Sequence, residues 1–220
     1  MRFPDPRRGR VVAISLFLLA ASAAFAAEPG NSYHQRNLVS NGGVPAEHVD
    51  TDLVNAWGLA ASAAGPWWVN AADSGKSLLY NGQGVKNSLV VAVAGAPTGI
   101  VFNGGTSFVL PSAGAARFLF ASEDGTISAW SPSLAPNTQA VVVVDNSAAE
   151  ASYKGLAIDS TSAGTRLYAA NFHDARVDVF DGSFAPVTVA GAFTDPGLPA
   201  GYAPFGIQTL AGSVFVAYAK

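Results

Sequence analysis

Ser74-Gly75-Lys76-Ser77-Leu78-Leu79-Tyr80, Asp124-Gly125-Thr126-Ile127-Ser128-Ala129-Trp130 and Asp174-Ala175-Arg176-Val177-Asp178-Val179-Phe180 align at an interval of fifty residues. Each is a turn followed by a short strand that ends on an aromatic. A period of roughly 40 to 50 residues marks stacked β-blades, because one such unit cannot bury its own apolar face and needs a neighbour on each side. Upstream of these segments lies a second recurring motif: Trp57-Gly58-Leu59, Thr98-Gly99-Ile100, Lys154-Gly155-Leu156 and Phe205-Gly206-Ile207. The innermost strand of a propeller blade crowds the axis, where a residue without a side chain lets neighbouring backbones approach.

Between the glycine strand and the aromatic strand each unit carries an apolar run: Trp67-Trp68-Val69, Phe118-Leu119-Phe120-Ala121, Leu167-Tyr168-Ala169-Ala170 and Val214-Phe215-Val216-Ala217. After the aromatic comes an outer run: Leu89–Val93, Ala140–Val144 and, more weakly, Val187–Ala190. Four strands per unit, punctuated by Gly, Pro, Asn and Asp turns, predict an all-β β-propeller of four-stranded blades. The continuous valine runs predict strands covered on both faces. The expected organisation is a signal peptide (1–26), an N-terminal segment with a ring-closing strand (27–54), and blades over 55–95, 96–145, 146–202 and 203–220. Ser107-Phe108-Val109-Leu110 in the second unit reads as an inserted hairpin or an early second strand. Arg36-Asn37-Leu38-Val39-Ser40 has no partner in its own unit and is expected to supply the outer strand of a last blade.

The fourth unit reaches Lys220 before its turn and aromatic strand, so about three and a half blades are present. Closed propellers use ~4 to 8 blades. The expectation is a fragment of a longer, about six-bladed ring; the alternative is a short open solenoid that dimerises through its exposed end.

Arg2, Arg7, Arg8 and Arg10 precede an apolar run from Val11 to Leu19 and the small residues of Ala24-Phe25-Ala26. This is the charge, apolar core and cleavage pattern of a secretory signal, and the run is shorter than the ~20 residues of a bilayer span. Export to a periplasmic or extracellular location is expected, with no stable membrane insertion after cleavage. The chain contains no cysteine, so stability must come from apolar burial. The formal charge is −3, and removal of residues 1–26 leaves −6. Without basic clusters, nucleic acid is excluded as a partner.

Asn37-Leu38-Val39-Ser40-Asn41, Asn55-Ala56-Trp57-Gly58-Leu59, Pro97-Thr98-Gly99-Ile100-Val101-Phe102-Asn103, Ala121-Ser122-Glu123-Asp124-Gly125, Tyr168-Ala169-Ala170-Asn171-Phe172 and the stretch Phe193–Phe205 resemble an uncharacterised exported bacterial family of propeller-like proteins. Some members carry a PEP-CTERM sorting tail. The resemblance covers essentially the whole mature chain, implies further blades after Lys220 and supplies no activity. More distantly the units are similar to NHL-type repeats, whose relatives include binding proteins and lactonase-type enzymes.

In a four-stranded blade the turn between strands two and three and the start of strand one lie on the same face. That places Asn70, Asp73, Glu123, Asp124, Asn171, His173 and Asp174 on one rim, with Asn55, Thr98 and Lys154 nearer the channel mouth, as the candidate ligand site. No cofactor is expected, although Glu, Asn and Asp are also the ligand chemistry of Ca²⁺ and similar hard cations. Turn chemistry, in which Asp and Asn bond their own backbone, is the favoured explanation of these residue types. His48 sits beside acids in a polar leader loop. Trp57, Trp67 and Trp68 could stack on sugars, although their places in the repeat favour inter-blade core. No catalytic or metal residues are assigned. The expected function is a noncatalytic exported propeller that binds an unidentified protein or glycan. The alternative is a Ca- or Zn-assisted lactonase, weakened by Trp57, Thr98, Lys154 and Phe205 standing where carboxylate or amide ligands belong. A structural role in the cell envelope is the third option.

Overall fold

The strands that follow the leader fall into successive antiparallel sheets, each meandering outward from the glycine strand. A computed structural model of the chain describes residues 33–162, 164–190 and 193–220. The signal-peptide reading falls on residues 1–26, outside the described residues. The blades belong to the unit Arg36–Lys220. Its strands are β1 (Val39–Ser40) and β2 (His48–Val49); β3 (Ala56–Ala61), β4 (Trp67–Ala71), β5 (Lys76–Tyr80) and β6 (Lys86–Ala92); and β7 (Pro97–Phe102), β8 (Val109–Leu110), β9 (Gly114–Ala115), β10 (Phe118–Ser122), β11 (Thr126–Trp130) and β12 (Val141–Asp145). They continue with β13 (Tyr153–Thr161), β14 (Gly164–Asn171) and β15 (Arg176–Asp181), then β16 (Ala203–Leu210) and β17 (Ser213–Ala219).

The sheet orders β3-β4-β5-β6 and β7-β10-β11-β12 are two full four-stranded blades; β13-β14-β15 and β16-β17 are a three-stranded and a two-stranded one. The fold is therefore an all-β propeller array, and no closed ring is formed among the described residues. The fifty-residue step is realised in β5, β11 and β15, whose first residues are Lys76, Thr126 and Arg176. The residue before each, Gly75, Gly125 or Ala175, is left-handed at φ 62°, 80° and 52°.

The inner strands pack side by side because their glycines admit it. A Cβ on Gly58 would strike the Thr98 carbonyl and Ile100, one on Gly99 would strike the Leu156 amide, and one on Gly155 would lie 2.8 Å from the Phe205 carbonyl oxygen. Each glycine thus abuts the inner strand of the next blade. Side-chain bonds reinforce these seams: Asn70 Nδ2 donates to the carbonyls of Thr98 and Gly99 at 3.2 and 3.1 Å, and Thr98 Oγ1 donates to the Tyr153 carbonyl at 2.7 Å.

The core lies between blades rather than inside them. Trp68, Leu79 and Val91 of the first blade meet Ile100, Phe120 and Trp130 of the second. Leu119, Ile127 and Phe108 of the second blade meet Tyr153, Leu156 and Leu167 of the third. Ala157, Tyr168 and Val179 of the third pack with Ile207 and Val214 of the fourth. Burying one such side chain contributes about 1.5–3 kcal/mol, so most of the stability resides in the stacking of one blade on the next.

Four expectations need correction or refinement. Ser107–Leu110 is the insert: β8 pairs β9 in a short hairpin, and Phe108 is fully buried under it. Val187–Ala190 forms no regular fourth strand; a bridge between Phe180 and Pro186 and one bond from Val187 N to the Val179 carbonyl are what pair it, and Pro186 has no N–H to extend the ladder. The valine runs are not covered on both faces, since Val141 and Val142 are 38% and 47% exposed. The leader finds a partner in its own unit: β1 pairs in parallel with β2. Val39 and Leu53 cover Leu78 and Tyr80, so the leader caps the outer face of the first blade.

An ionic clasp holds that cap. Tyr80 Oη donates to Asp50 Oδ2 at 2.6 Å, Lys86 Nζ reaches Asp50 and Asp52 at 2.8 and 2.9 Å, and Lys76 Nζ reaches Asp52 at 2.7 Å. Of the acids around His48, Asp50 and Asp52 are thereby committed to lysines, and Glu47 is paired with Arg36.

Candidate functional site at the axial mouth

The inner strands of the first, third and fourth blades each deliver one residue to the axis, at the position immediately before the glycine. In the first blade this is Trp57. Two residues before it Asn55 takes a left-handed φ of 54°, which asparagine tolerates better than most residues. Its side chain bridges two groups: Trp57 Nε1 donates to Asn55 Oδ1 at 2.9 Å, and Asn55 Nδ2 donates to Asp73 Oδ1 at 2.9 Å. The indole is thereby fixed in orientation.

In the third blade the same position is Lys154. Its ammonium lies 5.7 Å from the Trp57 ring centroid and forms an ion pair with Glu123 of the second blade. In the fourth blade it is Phe205, whose ring is 5.6 Å from Trp57 and tilted by 37°. Phe172, in the turn after β14, meets Phe205 edge-on at 5.8 Å. Three rings, a cation and two carboxylates therefore form one surface built from four blades. Thr98, the second blade's counterpart, turns away and is buried on the Tyr153 carbonyl. Below the mouth a cleft of about 670 Å³ runs along the inner strands from Trp57 and Lys154 to Trp67 and Thr209.

The rim residues read from the sequence divide into four groups. Asp73 and Glu123 belong to the mouth network, with Asn55 and Lys154. Asn70 and Asn171 are fully buried and hold backbone or neighbouring side chains. Asp124 is exposed, and its Oδ1 accepts from Thr126 N and Oγ1 at 3.0 and 2.7 Å, the turn-forming role weighed for it.

His173 and Asp174 enter a second network on the third blade. His173 Nδ1 is 3.0 Å from Asp174 Oδ1, and Arg176 reaches Asp174 and Asp178 at 2.8 and 2.6 Å. Asn171 Nδ2 donates to both carboxylates, and Tyr153 Oη donates to Asp178 at 3.1 Å. The bond with His173 holds the Asp174 carboxyl below the usual carboxylate range; partial desolvation opposes it, and Arg176 adds to it. Burial pushes the Tyr153 hydroxyl well above its ordinary value, and the charge of Asp178 adds to that. No three His, Asp or Glu side chains converge as a metal set among the described residues.

Phe172 and Phe205 are the members that the sequence does not single out as ligand residues. Of the three tryptophans expected in the inter-blade core, Trp68 alone is deeply buried; Trp67 is 47% exposed and Trp57 stands at the mouth. The signal that could have found the mouth was the variable residue before each repeated glycine.

No family model matches the chain. It is 30% identical to the uncharacterized protein R648 of Acanthamoeba polyphaga mimivirus, over 83% of this chain and 48% of that protein. It is 31% identical to the uncharacterized protein L690 of the same virus, over 83% and 51%. The chain thus spans about half the length of these curated relatives. Among solved structures, the β-propeller domain of Cps50 (Swd1) from Myceliophteria thermophila matches at TM-score 0.48 and 12% identity, covering 70% of this chain and 44% of that one. The nidogen/laminin complex matches at TM-score 0.46 and 10% identity, covering 73% and 54%. The strand order and seam geometry above define the class, a β-propeller protein.

Proposed function

We propose that this β-propeller is a noncatalytic exported binding protein that takes a protein or glycan ligand at its axial mouth. The observation that carries the reading is the convergence of Trp57, Lys154 and Phe205 at one repeat position. Their contacts are with side chains of other blades, so these residues form a surface that the array assembles rather than part of a single blade's core. Aromatic faces beside polar groups are the composition of a recognition site. Asp73 and Glu123 contribute to the mouth itself, while Asp124, His173 and Asp174 stand on the surrounding rim. The N-terminal pattern of residues 1–26 and the resemblance to an exported bacterial family support export. No described helix is long and apolar enough to cross a membrane.

The test compares the full-length protein with a Trp57→Ala/Phe205→Ala variant in capture from arrays of glycans and of secreted proteins. The expected result is a ligand retained by the wild type and lost by the variant. Equal capture by both would remove the mouth as the binding site. Lactone hydrolysis that appears with added Ca²⁺ or Zn²⁺ would overturn the noncatalytic reading.

A further inference from the structure

The mouth carries charges of both signs within one aromatic enclosure, and that restricts what it can hold. Lys154 has three N–H donors and directs one to Glu123, so its remaining donors can serve a ligand oxygen. Glu123 Oε2 and Asp73 Oδ2 retain acceptor capacity and are joined to Trp57 through Lys154 and Asn55 respectively. A cationic ligand approaching the Trp57 face meets the Lys154 ammonium 5.7 Å from the ring centroid. An anionic ligand meets Glu123 and Asp73. A neutral ligand that both donates and accepts, and that has an apolar face to lay on a ring, satisfies every group present.

Resting on the reading of the mouth as a binding site, we propose that it binds a neutral pyranose unit of a glycan. Trp57 and Phe205 contact the C–H face of the sugar, Lys154 donates to a ring hydroxyl, and Glu123 and Asp73 accept from others. Two features make the site ready-formed. The Trp57 indole is locked by Asn55, and Asn55 is locked in turn by Asp73. The Lys154 side chain is 16% exposed against 37% for Glu123, so the ammonium is held in place while the carboxylate stays open to a ligand.

The experiment follows the four tryptophan indole N–H signals of the ¹⁵N-labelled full-length protein. Trp57 is assigned from Trp57→Phe. The probes are cellotetraose, mannotetraose and N-acetylchitotetraose as neutral saccharides, tetragalacturonate as the anion and tetraglucosamine as the cation. At least one neutral probe should move the Trp57 signal, with affinity tenfold or more above both charged probes. Lys154→Met and Glu123→Gln should each weaken that binding about tenfold. By titration calorimetry, Trp57→Phe should weaken it less than Trp57→Leu, and Asp181→Asn, in a turn at the end of β15, should leave it unchanged. Tighter binding of a charged probe at Trp57 overturns the neutral-ligand proposal and leaves the mouth standing as a binding site. No movement of the Trp57 signal with any of the five saccharides overturns the saccharide proposal, and array capture of a protein lost in Trp57→Ala/Phe205→Ala would then keep the mouth as a site.

Discussion

Trp57 and Phe205 stand 5.6 Å apart, ring centroid to ring centroid, although one belongs to the first blade and the other to the fourth. Both occupy the place just before an inner-strand glycine. In the first three blades the glycine is fixed by the approach of the next blade's backbone, whereas a Cβ on Gly206 would meet only the Ala217 side chain at 3.7 Å; the predecessor varies in chemistry, and Trp57, Lys154 and Phe205 reach the axial mouth from it. A repeat that must keep one position constant for packing therefore offers the adjacent position to recognition.

The packing half of that relationship is testable at Gly99. A Cβ there would collide with the Leu156 amide and the Gly155 backbone, which cannot yield as a flexible side chain does. Gly99→Ala should destabilise the chain by about 3 kcal/mol or prevent folding, at the upper end of overpacking costs. Gly82→Ala, where a Cβ meets nothing within 4 Å, is the control and should be neutral or mildly stabilising. Urea denaturation of both variants measures the contrast; equal stabilities would mean the seam is looser than the backbone distances require.

The turn before β15 offers a stabilising change. Gly75 and Gly125 supply the left-handed residue in the first two blades, and Ala175 does so in the third at φ 52°. A Cβ in that region costs roughly 1–2 kcal/mol and the glycine's extra unfolded-state entropy takes back about 0.4–1 kcal/mol, so Ala175→Gly should stabilise by about 0.5–1 kcal/mol. For a chain of this size the melting temperature should rise by about 2–3 °C. A fall would show that the turn relaxes to accommodate alanine.

The clasp on the leader sets an acid limit. Burial pushes the Asp50 carboxyl up, but bonds from Lys86, Tyr80 and the Asp52 amide outweigh it and hold the carboxyl below its ordinary value. Lys76 and then Lys86 do the same for Asp52. Both groups titrate lower in the folded chain than in the unfolded one, where carboxylates titrate near ~4. Their contribution is therefore full above that value and is lost as pH falls through the folded-state values. Asp50→Asn should cost about 2 kcal/mol at pH 7, and the difference from wild type should shrink below about pH 4. Denaturation midpoints from pH 2 to 7 would show it, and a pH-independent difference would contradict the assignment.

Blade architecture was legible because it is written in short-range, repeated chemistry: a left-handed turn residue, an apolar strand, a closing aromatic. Tyr80, Trp130 and Phe180 close β5, β11 and β15 almost as the fifty-residue alignment places them. The mouth was less legible. Trp57, Lys154 and Phe205 are far apart in sequence, and only its place before a repeated glycine distinguishes the axial tryptophan from the buried Trp68. Turn residues misled in the opposite direction, since Asn70 looks like a loop residue and is a fully buried strut between blades. The outer strand of the third blade failed because valine content alone does not reveal that Pro186 interrupts the ladder.

Asn70 gives the sharpest separation of strut from ligand. Both donor contacts of its amide go to carbonyls of the second blade's inner strand, at 3.2 and 3.1 Å, from a fully buried position. Asn70→Asp keeps the shape and replaces the donating nitrogen with a carboxylate oxygen that faces two carbonyl oxygens. An unpaired buried charge of that kind costs about 3–5 kcal/mol, or forces the carboxyl to stay protonated. The aspartate would then have a folded-state value raised above the unfolded one, so the variant should gain stability relative to wild type as pH falls toward about 4. Binding at the mouth, measured per folded molecule, should be unchanged. A variant as stable as wild type at pH 7 but impaired in binding would instead make Asn70 a ligand-contacting residue.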